Sequence, residues 1–215
     1  MGTEFNKLFD EWSEHYDRTV AGHDMQYREV FEGYEDILEA VAVRASGTVV
    51  EFGVGTGNLT EKLLARGLRV YGIEPSEGMR AQFGKRGLAA TLMEGDFLHY
   101  PAIAEPIDTI VSTYAFHHLT DEEKGQAISQ YAAWLGYGGR IIFADTAFQD
   151  EAARRSIELA VEEAGFKELL KNLQSEYYTT LNVLTGMFEA HGFHVALSPM
   201  NRFVWLMEAV KTDGS

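Results

Sequence analysis

The residue types able to do chemistry cluster in the first half of the chain. Gly53, Gly55 and Gly57 lie close together behind a short apolar run, Val49-Val50-Glu51-Phe52. Glycines so spaced let a backbone turn tightly and let a ligand approach main-chain N–H groups. Glu74 follows about 20 residues later, the offset at which an acidic side chain grips ribose hydroxyls. A carboxylate there suits an unphosphorylated ribose and would repel a 2′-phosphate. Asp96 ends the next apolar segment with Phe97 beside it. The carboxylate can accept from an exocyclic amine and the ring can stack on a base, so the two together would hold adenine. The dinucleotide fingerprint G-x-G-x-x-G wants its third glycine where Asn58 stands, so the loop is not the best match to NAD-type recognition.

Three residues further on are candidates for catalysis: Tyr114, His117 and Asp145. An imidazole takes a proton near pH 7. Asp145 ends a strand and would face an acceptor, and Tyr114 would line a transfer pocket. His117 and His118 also precede a helix cap at Thr120, where they would serve equally well as packing. His191 and His194 lie across a glycine turn without the H-E-x-x-H pattern, and no metal site is expected. Tyr177 and Tyr178 are either core or pocket wall.

Strand-like and helix-like segments alternate, which predicts an α/β sheet with helices on both faces. Strands are expected at 49–52, 69–74, 89–94, 107–113 and 140–145. Two more at 193–197 and 203–210 are joined by a link short enough for an antiparallel hairpin. Apolar spacing predicts helices over 5–16 and 27–43. The helix from Asn58 has Glu61 as a capping-box partner. Ser76 caps the helix that runs to about Gly87, and Thr120 with Glu123 forms a further capping box. Helical periodicity also covers 150–175 and 180–190. Ligands of such sheets bind at the carboxyl ends of the strands, which is where Glu51, Glu74 and Asp96 fall.

The whole chain has 215 residues, of which 46% are hydrophobic, enough for a full core. With 18 basic and 33 acidic residues its net charge is −15, which argues against a nucleic-acid partner. No cysteine is present, so disulfides, a thiolate nucleophile and Cys-ligated zinc are excluded. The chain offers neither a signal peptide nor a membrane span, and a cytoplasmic protein without a membrane partner is expected.

EFGVGTGNLT, YGIEPS, GDF and DTIVSTYAFHHLTDEEK occur in the order and spacing of the motifs of class I S-adenosylmethionine-dependent methyltransferases, which the chain resembles over nearly its whole length. Its start, LFDEWSEHYDRTV, and its end, FVWLMEAVK, are similar to the YrrT family of bacterial methyltransferases. The resemblance implies a seven-stranded doubly wound Rossmann-like sheet with its last strand antiparallel. The cofactor implied is S-adenosyl-L-methionine, the partner a small-molecule methyl acceptor. Gly53, Gly55 and Gly57 would line the methionine part, with Glu51 orienting its ammonium directly or through water and Ser112 approaching it. Glu74 would bind the ribose, and Ser76 and Met79 would lie near the adenine edge. Asp96 would accept from the adenine amine with Phe97 packed on the ring. Tyr16 and Asp17 would belong to a lid. The expected organisation is a single domain, 1–215: helical lid 1–45, cofactor-binding core 46–146, helical insert 147–179, and final helix with hairpin 180–215. The alternatives are an NAD-dependent oxidoreductase of related fold and a non-catalytic sensor of S-adenosylmethionine or its product.

Overall fold

The computed structural model describes residues 19–212. Its strands are β1 (Thr48–Phe52), β2 (Arg69–Ile73), β3 (Thr91–Met93), β4 (Thr109–Thr113), β5 (Arg140–Thr146), β6 (Phe193–Pro199) and β7 (Val204–Lys211). They form one sheet in the order β3-β2-β1-β4-β5-β7-β6. The first five are parallel, and β7 runs antiparallel to both β5 and β6. The strand order reverses between β1 and β4, which leaves a crevice at their carboxyl ends.

Strand alternation feeds two cores, because successive side chains point to opposite faces. Val49, Val111, Ile142 and Leu206 pack on one side. They meet Ile37 and Leu38 of α1 (Tyr34–Ala42), Leu59 and Leu63 of α2 (Asn58–Ala65), Val161 of α5 (Glu151–Glu163) and Leu169 and Leu173 of α6 (Lys167–Ser175). Val50, Ile110, Ile141 and Met207 face the other way. There they meet Ile128 and Tyr131 of α4 (Asp121–Trp134) and Leu184 and Phe188 of α7 (Leu181–Ala190). Ser76 caps α3 (Glu77–Arg86), and the Thr120–Glu123 capping box opens α4.

Two local expectations give way. The helix predicted over 27–43 begins only at Tyr34. Gly33 has φ +70°, outside the helical region, and the preceding residues form turns. Asn201 Nδ2 donates to the carbonyls of Val30 and Glu32, which a continuous helix would use internally. Glu61 forms no capping box, because the N-cap is Gly57 at φ +93°, which has no side chain to reciprocate. Glu61 pairs instead with Arg86 at the surface, at 2.6 Å. The predicted 5–16 helix and Tyr16 and Asp17 of the lid lie outside the described residues.

Candidate cofactor cleft and acceptor cavity

The carboxyl ends of β1, β2 and β4 surround a cavity of about 50 Å3 lined by Gly53, Gly55, Glu74, Met79, Asp96 and Phe97, with Tyr114, Ala115 and His118 at one end. Glu74 is 4% exposed. Its Oε2 accepts from Gly55 N and its Oε1 from Ser76 N, each at 2.9 Å. One carboxylate thus shapes the glycine turn and the start of α3 together. Ser76 Oγ accepts from Met79 N at 3.1 Å, so Ser76 works as a cap behind the cavity while Met79 lines it. Asp96 Oδ1 accepts from the amides of Leu98 and His99, which leaves Oδ2 for a ligand. Phe97 stacks on Phe52 with centroids 5.3 Å apart, so it belongs to the core as well as to the lining.

Three residues expected here stand behind the lining. Glu51 is buried under the turn, where its Oε2 accepts from Thr60 Oγ1 at 2.5 Å. Burial raises its pKa to about 8, against the opposing Thr60 hydrogen bond. A Cβ on Gly57 would meet Phe83 and Leu88 side chains at 2.7–2.9 Å, so Gly57 is shaped by packing against α3 rather than by the cavity. Ser112 Oγ is buried and has no hydrogen-bond partner. It lies 4.0 Å from where a Gly53 Cβ would sit. A buried hydroxyl without a partner is costly, and a polar ligand group beside Gly53 would satisfy it.

Beyond Tyr114 lies a second cavity of about 80 Å3, walled by Tyr27, Val30, Phe31, Tyr114, His117, His118, Leu169, Asn172, Glu176, Tyr178 and Phe203. It is built by tying distant segments together. Lys124 is 2% exposed, and its Nζ donates to the carbonyls of Leu119 and Tyr177. Tyr177 N donates to His117 O at 3.1 Å. These bonds bring the end of α6 against the loop after β4 and set Glu176 beside His117. Asp145, at the end of β5, accepts from His117 N at 2.9 Å, and its Oδ1 lies 2.6 Å from His117 Nδ1. Glu176 Oε2 lies 3.3 Å from His117 Nε2 and accepts from the Tyr178 hydroxyl. The Tyr178 ring stacks on His117 at 4.8 Å.

The electrostatics follow from these contacts. Burial alone would depress His117, but the two carboxylates outweigh it and lift the imidazole to about 10. Burial also opposes charge on Glu176, and His117 outweighs it to draw the carboxyl down to about 2. Burial and the adjacent His117 charge push His118 down to about 3. With no ion bound, His117 is a cation between two anions, with His118 neutral beside it. A base must release and recover a proton near the working pH, and His117 in this state cannot.

Tyr114 and His118 line both cavities. Tyr114 has φ +54°, the one positive φ on a non-glycine among the described residues. Such a conformation costs about 1–2 kcal/mol and persists only where the surroundings enforce it. Here Tyr114 N donates to Ala144 O at 3.0 Å, and its ring packs on Phe31 and Tyr34 at 5.1 and 5.6 Å. The strained turn carries the aromatic ring to the junction of the cavities.

The fold is similar to that of magnesium protoporphyrin IX methyltransferase (ChlM) from Synechocystis PCC 6803 with bound SAH, at a TM-score of 0.68 and 17% identity over 96% of this chain and 99% of that one. It is also similar to that of DhpI in its SAH complex, at a TM-score of 0.66 and 17% identity over 97% and 96%. A family model described as a methyltransferase domain matches residues 49–139. An uncharacterized methyltransferase of Geobacillus thermodenitrificans is 56% identical over 98% of this chain and 99% of its own length. One from Bacillus cytotoxicus is 56% identical over 98% and 100%. The chain belongs to the family of these methyltransferases and has the class I methyltransferase fold. The chain is a methyltransferase, and the NAD-dependent oxidoreductase reading falls away. No helix among the described residues is long and apolar enough to cross a membrane.

The methyltransferase thus gathers Gly53, Gly55, Glu74, Met79, Asp96 and Phe97 around one cavity and sets Glu51, Gly57, Ser76 and Ser112 behind it. Of the catalytic candidates, Tyr114 and His117 reach the second cavity, while Asp145 stands behind His117. Sequence reasoning missed Tyr27, Asn172 and Glu176. Asn172 Nδ2 donates to the Tyr27 hydroxyl at 2.8 Å, a contact between segments far apart in the chain. Neither residue stands in a motif.

Proposed function

We propose that the methyltransferase acts on a small molecule held in the cavity beyond Tyr114. The observation that carries this reading is that the two cavities share Tyr114 and His118, so a molecule in the second lies beside the first. The second cavity's wall of aromatic and polar side chains from the turns before α1 and from α6 suits a compact acceptor better than a macromolecule.

The residues fit the cofactor on the structure's own terms: a glycine turn, the partnerless Ser112 hydroxyl beside it, and two carboxylates at successive strand ends. In this proposal Gly53, Gly55 and Ser112 hold the amino-acid part, and Glu51 acts on its ammonium from below. Glu74 accepts from the ribose hydroxyls, Asp96 Oδ2 accepts from the adenine amine, and Met79 and Phe97 flank the base. Ser76 and Gly57 contribute by fixing α3, and Tyr16 belongs to the segment that closes over the cleft. S-adenosylmethionine supplies a methyl group on an already activated sulfonium. The protein's part is to align the acceptor, exclude water and hold both partners in one geometry. Tyr114 forms the wall between them. The locked state of His117 and Asp145 makes them positioning residues, so we assign no general base. An acceptor such as a thiol, amine or phenol needs none, or uses water.

The test is a panel of small thiols, amines and phenols incubated with methyl-labelled cofactor, with bulk protein and RNA as comparison substrates. Label in one small product is expected. Label confined to a macromolecule would overturn the reading.

A further inference from the structure

His117, His118 and Glu176 place three ligating atoms within 4.8 Å of one another on the wall of the second cavity. Asp145 Oδ1 lies 2.6 Å from His117 Nδ1, which leaves Nε2 as the ring atom turned toward Glu176 Oε2, 3.3 Å away. A neutral imidazole that donates from Nδ1 carries a lone pair on Nε2, and a lone pair against a carboxylate oxygen is repulsive. A proton on Nε2 removes that repulsion, and a metal ion bound to Nε2 and Oε2 would remove it in the proton's place.

The surroundings suit an ion. Two donors bound to zinc at about 2.0–2.2 Å in a tetrahedron stand roughly 3.3–3.5 Å apart, and the Nε2–Oε2 separation is 3.3 Å. His118 follows directly in the chain, its ring 4.1 Å from that of His117. Asp145 behind Nδ1 is the outer carboxylate that metal-bound histidines commonly have, and the Tyr178 hydroxyl steadies Glu176 in the same way. Two histidines and one carboxylate with a fourth direction open is the donor set of a catalytic zinc. Here the neighbouring space is the cavity itself.

We propose that His117, His118 and Glu176 form a binding site for a borderline-soft divalent ion, zinc above all, at the wall of the acceptor cavity. The ion takes the place of the proton on His117 Nε2. On the acceptor reading above, a thiol or hydroxyl entering the open position would exchange its X–H bond for an X–metal bond. Its proton would leave to solvent, and the acceptor would remain as an anion near the methyl donor.

The experiment is a metal titration and needs no turnover. Full-length protein is stripped with a chelator, dialysed, and titrated with Zn2+ by calorimetry, with the bound metal counted by mass spectrometry. Co2+ is used in parallel for its absorption spectrum. We expect one equivalent bound, an intense four-coordinate Co2+ spectrum, and at least tenfold weaker binding in His118→Ala and Glu176→Gln. His191→Ala with His194→Ala should bind as the parent does. Circular dichroism confirms that each variant is folded. No stoichiometric binding by the parent would overturn the proposal and leave a proton as the bridging cation. Binding lost only in the His191/His194 variant would overturn it too. Failure of the acceptor panel alone would leave the titration result standing, so the two readings fail separately.

Discussion

The two cavities are built by different means although they share a wall. Around the first, carboxylates at strand ends bind backbone amides: Glu74 takes those of Gly55 and Ser76, and Asp96 those of Leu98 and His99. Every partner is within about 20 residues, so the chain needs only its local turns to assemble this side. Around the second, side chains bind side chains across the fold: Asp145 to His117, Glu176 to His117, Asn172 to Tyr27. The difference teaches that the side proposed for the cofactor is a property of the sheet, whereas the side proposed for the acceptor is a property of what is laid over it. A family can keep the first and change the second by altering a few residues of α6 and of the turns before α1.

The comparison can be broken at several points. The largest effect is expected on the acceptor side, from Asp145→Asn. It leaves a buried His117 cation short of its nearest anion, and removing one partner of such a pair costs about 3–5 kcal/mol. Chemical denaturation would measure this, and a loss below 1 kcal/mol would show that the network is not the clamp described. Next, Glu74→Ala should weaken S-adenosylmethionine binding by about 1–3 kcal/mol by calorimetry, while Tyr178→Phe leaves it unchanged. Equal losses in both variants would erase the division between the two sides. Gly57→Ala follows, at about 1–2 kcal/mol of stability, since the glycine sits at φ +93° against Phe83 and Leu88. A larger effect on cofactor affinity than on stability would move Gly57 back to the lining.

The smallest effect, measured below about pH 4.5 where the carboxyl is neutral folded or unfolded, is expected from Glu51→Gln, no more than about 1 kcal/mol. Its sign changes the pH profile. Burial holds the folded carboxyl at about 8 against an ordinary 4.5. The folded state therefore keeps a proton that the unfolded chain has released, and stability falls as pH rises from about 4.5 to about 8. The amide variant should lose that slope in denaturation curves taken across the window. An unchanged slope would assign it to another group.

The sheet was nearly all legible in the sequence, because strand alternation and caps are local signals. Ser76 and the Thr120–Glu123 box stand where expected. The helix expected before Tyr34 is an exception. Gly33 stops the predicted 27–43 helix, and Asn201, far along the chain, takes the carbonyls that the helix would have used. Glu74 and Asp96 stand after β2 and β3 as the spacing predicts, and both line the first cavity. Glu176 was not readable: it acquires its place only after Lys124 binds Tyr177 O and the end of α6 docks on the loop after β4. His117 was readable as a residue, but its charge was not, since the charge depends on two carboxylates from other segments.

The placement of β7 between β5 and β6 has a consequence for biosynthesis. Strands emerge from the ribosome in chain order, so β5 waits with its backbone edge open until the last strand in the sequence inserts beside it. The same late segment carries Asn201 and Phe203, which pin the turns before α1 and wall the second cavity. A nascent chain can thus assemble the half proposed to hold the cofactor while synthesis continues, and it completes the second cavity only after β7 has emerged.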